Sequence, residues 1–433
     1  MMTQPGGITS RREFLRWSVG PAGIASAAAI ALPNVLTHAK PAETLRVGLI
    51  GCGGRGSGAA LNAMQADRNV VLTAMADLFA DHLESSLRQL QTRLPEQVQV
   101  PPQREFLGFD AYQALIDSGV DVVLLTTPPG FRAQHLKAAV DAGKHAFMEI
   151  VAAVDAPGVR SVLESAEKAR QKGLSIVSGF CWRYHQGLRA VREQIREGAV
   201  GNVRTVYATY YRGDLSHKYK GPRPAQISDL EWDLRDWHSR LWLSGDVTIL
   251  LSGGHSVDKM AWWFDDVMPL RAVAIGSRVF ANEGNTFDNG FVAYEYAGGA
   301  RGFLGCRSHP GCYNENADYI IGSEGTCTIG RGRSPVIHGP KPWTYDGPPA
   351  NMYQTEHDEL MASIRAGKPI NDANRMAQTT LMAIMGRMAA YSGQEVTWEQ
   401  ALQSQQKLVP DHLDWNSRVE QPPLAVPGLT RLM

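Results

Sequence analysis

A short run of glycines has the spacing of a loop that holds a nucleotide. Gly51, Gly53, Gly54 and Gly56, with Arg55 among them, follow the apolar segment Leu45 to Ile50 and open a helix-like segment. Glycines let the backbone approach a pyrophosphate, and the amino end of the helix faces its negative charge. We therefore predict that this loop binds a dinucleotide.

Asp77 ends the next apolar run, where a carboxylate hydrogen-bonds the adenosine ribose hydroxyls. A carboxylate at this place repels the 2′-phosphate of NADP and therefore favours NAD. Arg55 could neutralise that phosphate, so both NAD and NADP are kept as candidate cofactors. The alternative for Asp77 is that it only caps the helix that follows.

Polar residues also close two later apolar runs. Thr126, Thr127 and Pro128 follow Val120 to Leu125, and Glu149 ends the run that starts at His145. The carboxyl ends of parallel strands form the ligand crevice of such sheets, so we expect these residues to contact the cofactor. We add His135, from the helix between the two runs, and note that Glu149 could instead be a solvated turn residue.

His255 is the strongest candidate for proton transfer. It lies in Gly253-Gly254-His255-Ser256-Val257-Asp258, and imidazole can accept the proton of an alcohol near neutral pH. Asp258 would share a helix face with it and could orient the ring or only cap a neighbouring loop. A histidine satisfied within the core is the alternative.

Aromatic and cationic side chains cluster where the two predicted domains meet. Tyr184 is predicted as a further catalytic group, and the expected carbohydrate contacts are Arg183, His185, Trp237 and Arg240. Aromatic faces beside cations suit sugar rings, although closely spaced tryptophans also form cores and interfaces.

The elements that must position these residues fall into two regions. Strand and helix patterns alternate over residues 44–180, which predicts a Rossmann domain with a doubly wound parallel sheet. Residues 181–433 show extended segments without a helix between each pair, which predicts a mostly antiparallel sheet with helices on one face.

The composition argues against a nucleic-acid partner, a disulfide framework and a metal site. The chain has 433 residues, 44% of them apolar, and Lys+Arg 43 balance Asp+Glu 43, so nothing favours nucleic acid. Five cysteines without paired spacing suggest neither a disulfide framework nor a zinc site, although Cys306 and Cys312 could meet on neighbouring strands. We expect no metal site.

The first 40 residues resemble an export signal. Ser10-Arg11-Arg12-Glu13-Phe14-Leu15 precedes an Ala- and Gly-rich apolar stretch that is too short for a confident membrane helix. We expect a twin-arginine signal peptide, read by the twin-arginine translocation machinery and removed near residue 40, and a periplasmic mature protein. The alternative is an ordinary amphipathic helix with a chance arginine pair.

Beyond residue 44 the chain resembles the Gfo/Idh/MocA family of glucose-fructose oxidoreductase and inositol dehydrogenase relatives. The resemblance is carried by Val47-Gly48-Leu49-Ile50-Gly51-Cys52-Gly53, Ala142-Gly143-Lys144-His145 with Met148-Glu149, His255-Ser256-Val257-Asp258, Glu356-His357-Asp358-Glu359-Leu360 and Ile364-Arg365-Ala366-Gly367-Lys368-Pro369. It implies oxidation or reduction of sugars or polyols by NAD or NADP. It also implies that the second domain has an open antiparallel sheet used for substrate binding and oligomerisation, in a homodimer or tetramer.

Two catalytic positions depart from the family pattern. Family members usually have lysine and proline after the glutamate that matches Glu149, and this chain has Ile150 and Val151. Many also have an acid four residues before the helix histidine, where this chain has Leu251. Loss of a positioned proton-transfer group typically costs about 10²- to 10⁴-fold in rate.

Three functions remain open at this stage. The first is a carbohydrate oxidoreductase with a tightly bound cofactor, because no NAD pool exists outside the cytoplasm to replace a lost one. The second is a redox-neutral hydrolase or lyase that cleaves glycosides through transient oxidation. The third is a catalytically impaired binder of nucleotide and carbohydrate.

Overall fold

The computed structural model describes residues 43–214, 223–281, 283–330, 332–349 and 351–432. The predicted export signal, residues 1–40, lies outside the described residues. In the described part of the chain, no helix combines the length and apolar character needed to cross a bilayer. All five cysteines are free thiols.

The first sheet is parallel throughout and has the strand order β3-β2-β1-β4-β5-β6. Its strands are β1 (Leu45–Ile50), β2 (Val70–Asp77), β3 (Glu105–Leu107), β4 (Val122–Leu125), β5 (His145–Met148) and β6 (Ile176–Ser178). The helices that cover it are α1 (Gly54–Ala66), α2 (Ala80–Arg93), α3 (Ala111–Asp117), α4 (Pro129–Asp141) and α5 (Ala156–Lys172). This arrangement confirms the predicted Rossmann architecture.

The second sheet has nine strands in the order β14-β13-β12-β11-β7-β10-β9-β8-β15. Its strands are β7 (Val203–Arg212), β8 (Arg271–Ser277), β9 (Asn289–Glu295), β10 (Arg301–Ser308), β11 (Glu315–Gly322), β12 (Thr326–Gly330), β13 (Arg333–His338), β14 (Trp343–Thr344) and β15 (Val396–Thr397). Among the described strands of this second sheet, only the central pair of β7 and β10 is parallel, so the prediction of a mostly antiparallel sheet is confirmed.

Within the described residues, seven further helices accompany this sheet. They are α6 (Gln186–Arg196), α7 (Asp229–Arg235), α8 (Leu241–Ser244), α9 (Gly253–Trp263), α10 (Met352–Ala366), α11 (Ala373–Ser392) and α12 (Trp398–Gln403). Helix α11 is buried on almost its whole circumference and packs on both α5 and β8. A helix that is apolar all round belongs in a core, and α11 thereby joins the two sheets in one hydrophobic cluster.

The segment after Asp77 forms the amphipathic helix α2, in which Leu83, Ser86, Leu87 and Leu90 are buried. Charged and amide side chains on its solvent faces hide this narrow apolar stripe, whose spacing is nevertheless helical.

Candidate active site

The glycine loop between β1 and α1 has the shape that a pyrophosphate requires. A Cβ on Gly56 would lie 1.9 Å from the carbonyl oxygen of Gly51, and Gly51 itself has φ +98°. At Gly53 and Gly54, by contrast, an added Cβ would meet no atom within 4 Å. No side chain caps the N-terminus of α1, so its free N–H groups face this open space. The loop therefore fits a dinucleotide.

Asp77 lies where the adenosine half would be held. Its Oδ2 accepts a hydrogen bond from the Cys52 N–H (2.6 Å), and its Oδ1 accepts one from the Phe79 N–H (2.9 Å). A carboxylate has about four acceptor positions, so capacity remains for ribose hydroxyls. Asp77 thus binds the N–H of Phe79, the N-cap residue of α2, but it does not cap the helix with its own side chain, and it keeps acceptors for the cofactor.

The neighbouring pocket has the apolar and aromatic lining that suits a nucleoside. Asp77, Thr127 and His135 line it, together with Ile50, Ala76, Leu78, Gly108, Phe109, Ala111, Tyr112 and Phe131. His135 stacks on Tyr112, with ring centroids 4.3 Å apart, and its Nδ1 lies 3.2 Å from the Thr127 hydroxyl. Burial, with the charge of Arg132 adding, lowers the pKa of His135 to about 3.

Hydrogen bonds hold the loop after β4 against the glycine loop and against α4. The Thr126 hydroxyl donates to the carbonyl oxygen of Gly51 (2.6 Å), which ties the glycine loop to β4. Pro128 caps α4, and the buried Arg132 of that helix donates to the carbonyl of Thr127 (2.8 Å) and to those of Ile150 and Val151. Thr126 and Pro128 therefore shape the loop.

A second cavity runs between the Rossmann sheet and α9. It brings together five of the predicted residues: Arg55, Thr126 and Glu149 of the Rossmann domain, and Trp237 and His255 of the second domain. The remaining lining consists of Arg132, Ile150, Gly179, Tyr210, Arg212, His238, Val247, Leu251, Ser252 and Tyr353. We call this cavity the cleft. Ile150 and Leu251 line it, so apolar groups occupy the two positions where the resemblance led us to look for lysine and an acid.

Arg55 links the glycine loop to two carboxylates. It pairs with Glu149 and with Glu356 of α10 (2.9 Å), and its guanidinium lies 5.0 Å from the ring centroid of Tyr353. Burial alone would raise the pKa of Glu149, but the charges of Arg55 and Arg132 outweigh it and hold that pKa below its usual value. Burial, with the charge of Glu149 adding, raises the pKa of Glu356 well above its usual value. Glu149 is therefore the ionised carboxylate of the pair.

His255 stands in an aromatic environment on the opposite wall. Its ring stacks on Tyr210 at 6.1 Å and meets Phe180 edge-on at 6.2 Å. Burial lowers the pKa of His255 to about 4, and the opposing effect of Glu149 is smaller. Its Nδ1 has no hydrogen-bond partner among the described residues. The imidazole is thus neutral near pH 7 and able to accept a proton.

A π-helical turn, Val247–Ser252, leads into α9 and places His255 in the cleft. Asp246 caps this turn at φ +106°, a conformation that costs free energy in a residue with a Cβ. Its carboxylate accepts hydrogen bonds from the N–H groups of Thr248 (2.8 Å) and Ile249 (2.7 Å) and from the Tyr391 hydroxyl (2.6 Å). Sequence reasoning missed Asp246, although π-turns are frequent at functional sites.

Asp258 does not orient His255 as expected. Its carboxylate instead receives the buried guanidinium of Arg183 (2.8 Å) and a more distant one from Arg375 (3.5 Å). Arg183 also pairs with Asp266 (2.5 Å). A buried charge needs a partner, and this network satisfies both groups inside the protein rather than at the cleft.

Tyr184, His185 and Arg240 also lie outside the cleft lining. The Tyr184 hydroxyl donates to Asp372 (2.6 Å), and the His185 Nδ1 accepts the Leu188 N–H at the start of α6 (3.4 Å). Arg240 pairs with Asp233 (2.8 Å). Of the expected carbohydrate contacts, only Trp237 lines the cleft. Arg183 and Arg240 are buried in ion pairs, and the half-buried His185 lies at the N-terminus of α6.

Two cleft residues were missed on β7. Tyr210 and Arg212 continue the face that carries the buried Val206 and Ala208. The signal was available, since strand residues two apart share a face and polar residues at core-facing positions are unusual.

Two family models match the chain. The model described as "Oxidoreductase family, NAD-binding Rossmann fold" matches residues 45–176, and the model of the GFO/IDH/MocA C-terminal domain matches residues 188–328. Together the matches extend over more than half of the chain. The chain belongs to the Gfo/Idh/MocA family. The first domain of this family member is accordingly an NAD-binding domain, which agrees with the open glycine loop.

Individual relatives are more distant. The chain is 28% identical to inositol 2-dehydrogenase 3 of Saccharopolyspora erythraea over 199 residues, which cover 45% of this chain and 54% of the relative. It is 26% identical to a glycosyl hydrolase family 109 protein of Shewanella pealeana over 247 residues, 53% of this chain and 49% of the relative. The chain thus spans about half the length of these relatives.

Solved structures share the fold of this Gfo/Idh/MocA member. A levoglucosan dehydrogenase in complex with NADH and levoglucosan superposes with a TM-score of 0.65 at 18% identity, covering 82% of this chain and 99% of that one. The apo scyllo-inositol dehydrogenase from Lactobacillus casei gives a TM-score of 0.62 at 16% identity, with coverage of 83% and 99%. Both likenesses concern the fold.

Proposed function

We propose that the protein oxidises a carbohydrate hydroxyl to a carbonyl with NAD+, or reduces the carbonyl with NADH, and that His255 moves the hydroxyl proton. The observation that carries this proposal is the cleft, in which a neutral imidazole faces the ion pair of Arg55 and Glu149 beside the glycine loop. Dehydrogenase relatives that match part of the chain support the same chemistry.

Different residues of the chain bind the cofactor, transfer the proton and position the charges in this reaction. The free N–H groups at Gly53 and Gly54 and the carboxylate of Asp77 would hold the two halves of NAD, which supplies a hydride acceptor or donor when bound. His255 takes the proton from the substrate hydroxyl during oxidation and returns it during reduction. Arg55 keeps Glu149 ionised and fixed at the back of the cleft. Ile150 and Leu251 offer no second proton-transfer group.

Substitution of His255 tests the proposal. Because His255 is the remaining proton-transfer group of the family pattern, His255→Asn should lower kcat by about 10²- to 10⁴-fold while NADH binding is unchanged. His412→Asn, an exposed histidine near the C-terminus, is the matched control and should leave kcat unchanged. Equal activity of His255→Asn and the wild type would contradict the role of His255.

Redox-neutral glycoside cleavage is the second candidate function. The match to a glycosyl hydrolase family 109 protein over 53% of the chain favours it. Incubation with a panel of glycosides and no added cofactor separates the two candidates. Release of free sugar without accumulation of NADH supports cleavage, and NADH formation without glycoside cleavage supports the oxidoreductase. A protein that binds NADH but neither cleaves a glycoside nor forms NADH is a non-catalytic binder.

We further propose that residues 1–40 direct export by the twin-arginine machinery and that the folded protein carries tightly bound NAD into the periplasm. The arginine pair followed by Phe14 and Leu15 supports this proposal. Replacement of Arg11 and Arg12 by lysine should retain the protein in the cytoplasm, as measured by cell fractionation. Unchanged export of this variant would contradict it.

The outer face of the second sheet supports a homo-oligomer. Val273, Ile275 and Phe291 are exposed there in adjacent strands, and Ile275 has 73% of its surface accessible. Exposed apolar patches of this kind mark association surfaces. Native mass spectrometry should show a dimer or tetramer that Ile275→Lys weakens; a monomeric wild type would contradict this assembly.

A further inference from the structure

Arg212 is a cleft residue for which the reaction described so far has no use. It ends β7 on the inner face of the sheet, two residues beyond Tyr210, and it lines the cleft with His255 and Trp237. The Tyr210 ring connects it to the proposed reaction centre, since it stacks on His255 at 6.1 Å and lies 6.0 Å from the Arg212 guanidinium carbon.

The positive charge of Arg212 is not balanced within the described part of the chain. No carboxylate of those residues pairs with it, and its buried Nε has no hydrogen-bond partner. The other two cleft arginines are satisfied, Arg55 by two carboxylates and Arg132 by backbone carbonyls. A partly buried guanidinium without an anion is costly. An anion that binds beside Arg212 is therefore stabilised by its charge.

Arg212 lies apart from the cofactor site, so the anion that it binds is not the cofactor pyrophosphate. The pyrophosphate site is the N-terminus of α1 in the Rossmann domain, whereas Arg212 belongs to the sheet of the second domain, on the side of His255. A single guanidinium balances a single negative charge, and its planar fork matches the two oxygens of a carboxylate.

We propose that Arg212 binds the carboxylate of an acidic sugar, so that the substrate is a uronic or aldonic acid rather than a neutral sugar. This inference rests on the proposed function, because it assumes that a carbohydrate occupies the cleft beside His255. It adds a specificity residue and a substrate class to that function.

Calorimetric titration of the NAD-saturated protein tests the assignment without requiring turnover. The probes are D-glucuronate, D-galacturonate and D-gluconate, each compared with the neutral sugar, and D-glucose 6-phosphate. At least one acid should bind more tightly than its neutral counterpart. Arg212→Gln should weaken binding of that acid by about 10- to 100-fold, and Arg212→Lys should restore part of it, because lysine keeps the charge but not the fork. The Kd for NADH should not change.

Arg307→Gln is the matched control. Arg307 lies over Tyr211 at 5.2 Å on the opposite face of the same sheet, so its loss should not affect binding of the acid. The proposal is overturned if no acid binds, if neutral sugars bind equally well, if the phosphate ester is preferred to every acid, or if Arg212→Gln binds the acid like the wild type.

The proposed function and this inference fail in different ways. An acid that binds through Arg212 but is never oxidised leaves the inference standing and contradicts the oxidoreductase. Oxidation of neutral sugars with no preference for acids leaves the oxidoreductase standing and overturns the role of Arg212.

Discussion

Three alanine substitutions in the glycine segment should separate folding from cofactor binding. In Gly56→Ala the new methyl group would lie 1.9 Å from the Gly51 carbonyl oxygen and 2.7 Å from the Thr126 hydroxyl. The first of these atoms belongs to the backbone, so β1 and α1 must move apart. We expect a loss at or above the upper end of the usual overpacking cost, about 3 kcal/mol in the free energy of unfolding.

Gly54→Ala should behave in the opposite way. Its methyl group meets no atom within 4 Å, so the cofactor-free protein should unfold like the wild type. The same methyl enters the space in front of the α1 N-terminus and competes with the pyrophosphate. We expect the Kd for NADH to rise at least about tenfold, which corresponds to about 1.4 kcal/mol.

Gly58→Ala is the control within the same helix. Its methyl group meets only an Arg55 nitrogen, at an ordinary 3.5 Å, and alanine is about 1 kcal/mol better than glycine inside a helix. This variant should be slightly more stable and bind NADH normally. Urea unfolding without cofactor and NADH fluorescence titration provide the two readouts. Wild-type affinity in Gly54→Ala, or wild-type stability in Gly56→Ala, would refute this reading of the loop.

Three other predictions follow from the buried polar groups. Burial lowers the pKa of His135 to about 3 and of His255 to about 4, and it also lowers that of His357. The unfolded chain therefore binds more protons below the ordinary value of 6.5, and stability should fall as the pH drops from 6.5 toward 4. His357→Leu should reduce this slope in urea unfolding; an unchanged slope would exclude His357 as a contributor. Asp246→Ala leaves the Thr248, Ile249 and Tyr391 donors without their acceptor and should cost about 3 kcal/mol or more in urea unfolding, whereas a cost below about 1 kcal/mol would show that the π-turn does not depend on this cap. The acid limb of kcat/KM for carbohydrate oxidation should lie near pH 4 rather than 6.5, and a limb at 6.5 would show that His255 titrates as an ordinary histidine.

The sequence was most informative where a backbone requirement leaves one residue type possible. The glycines at Gly51 and Gly56 are demanded by close contact between β1 and α1, and the apolar run Val122–Leu125 is demanded by burial on both faces of a sheet. Such constraints act locally, so the Rossmann architecture could be predicted from the order of the residues.

The cleft could be predicted only in part, because its second wall depends on tertiary packing. The one-turn spacing of His255 and Asp258 suggested a catalytic pair. The Asp258 carboxylate instead pairs with Arg183, which lies 75 residues earlier in the chain. Arg55 likewise reaches Glu356, 301 residues away. Such competition for charged partners is decided by the folded neighbours, which periodicity does not reveal.

A single turnover on the NAD-saturated protein tests the proposed oxidoreductase most directly. A panel of acidic and neutral sugars is added, and the absorbance of reduced nicotinamide is followed in the wild type and in His255→Asn. At least one sugar should reduce the bound NAD in the wild type, and the His255→Asn variant should do so at least about 10²-fold more slowly. Absence of nicotinamide reduction with every sugar, in a protein shown to bind NAD, would contradict the proposed function.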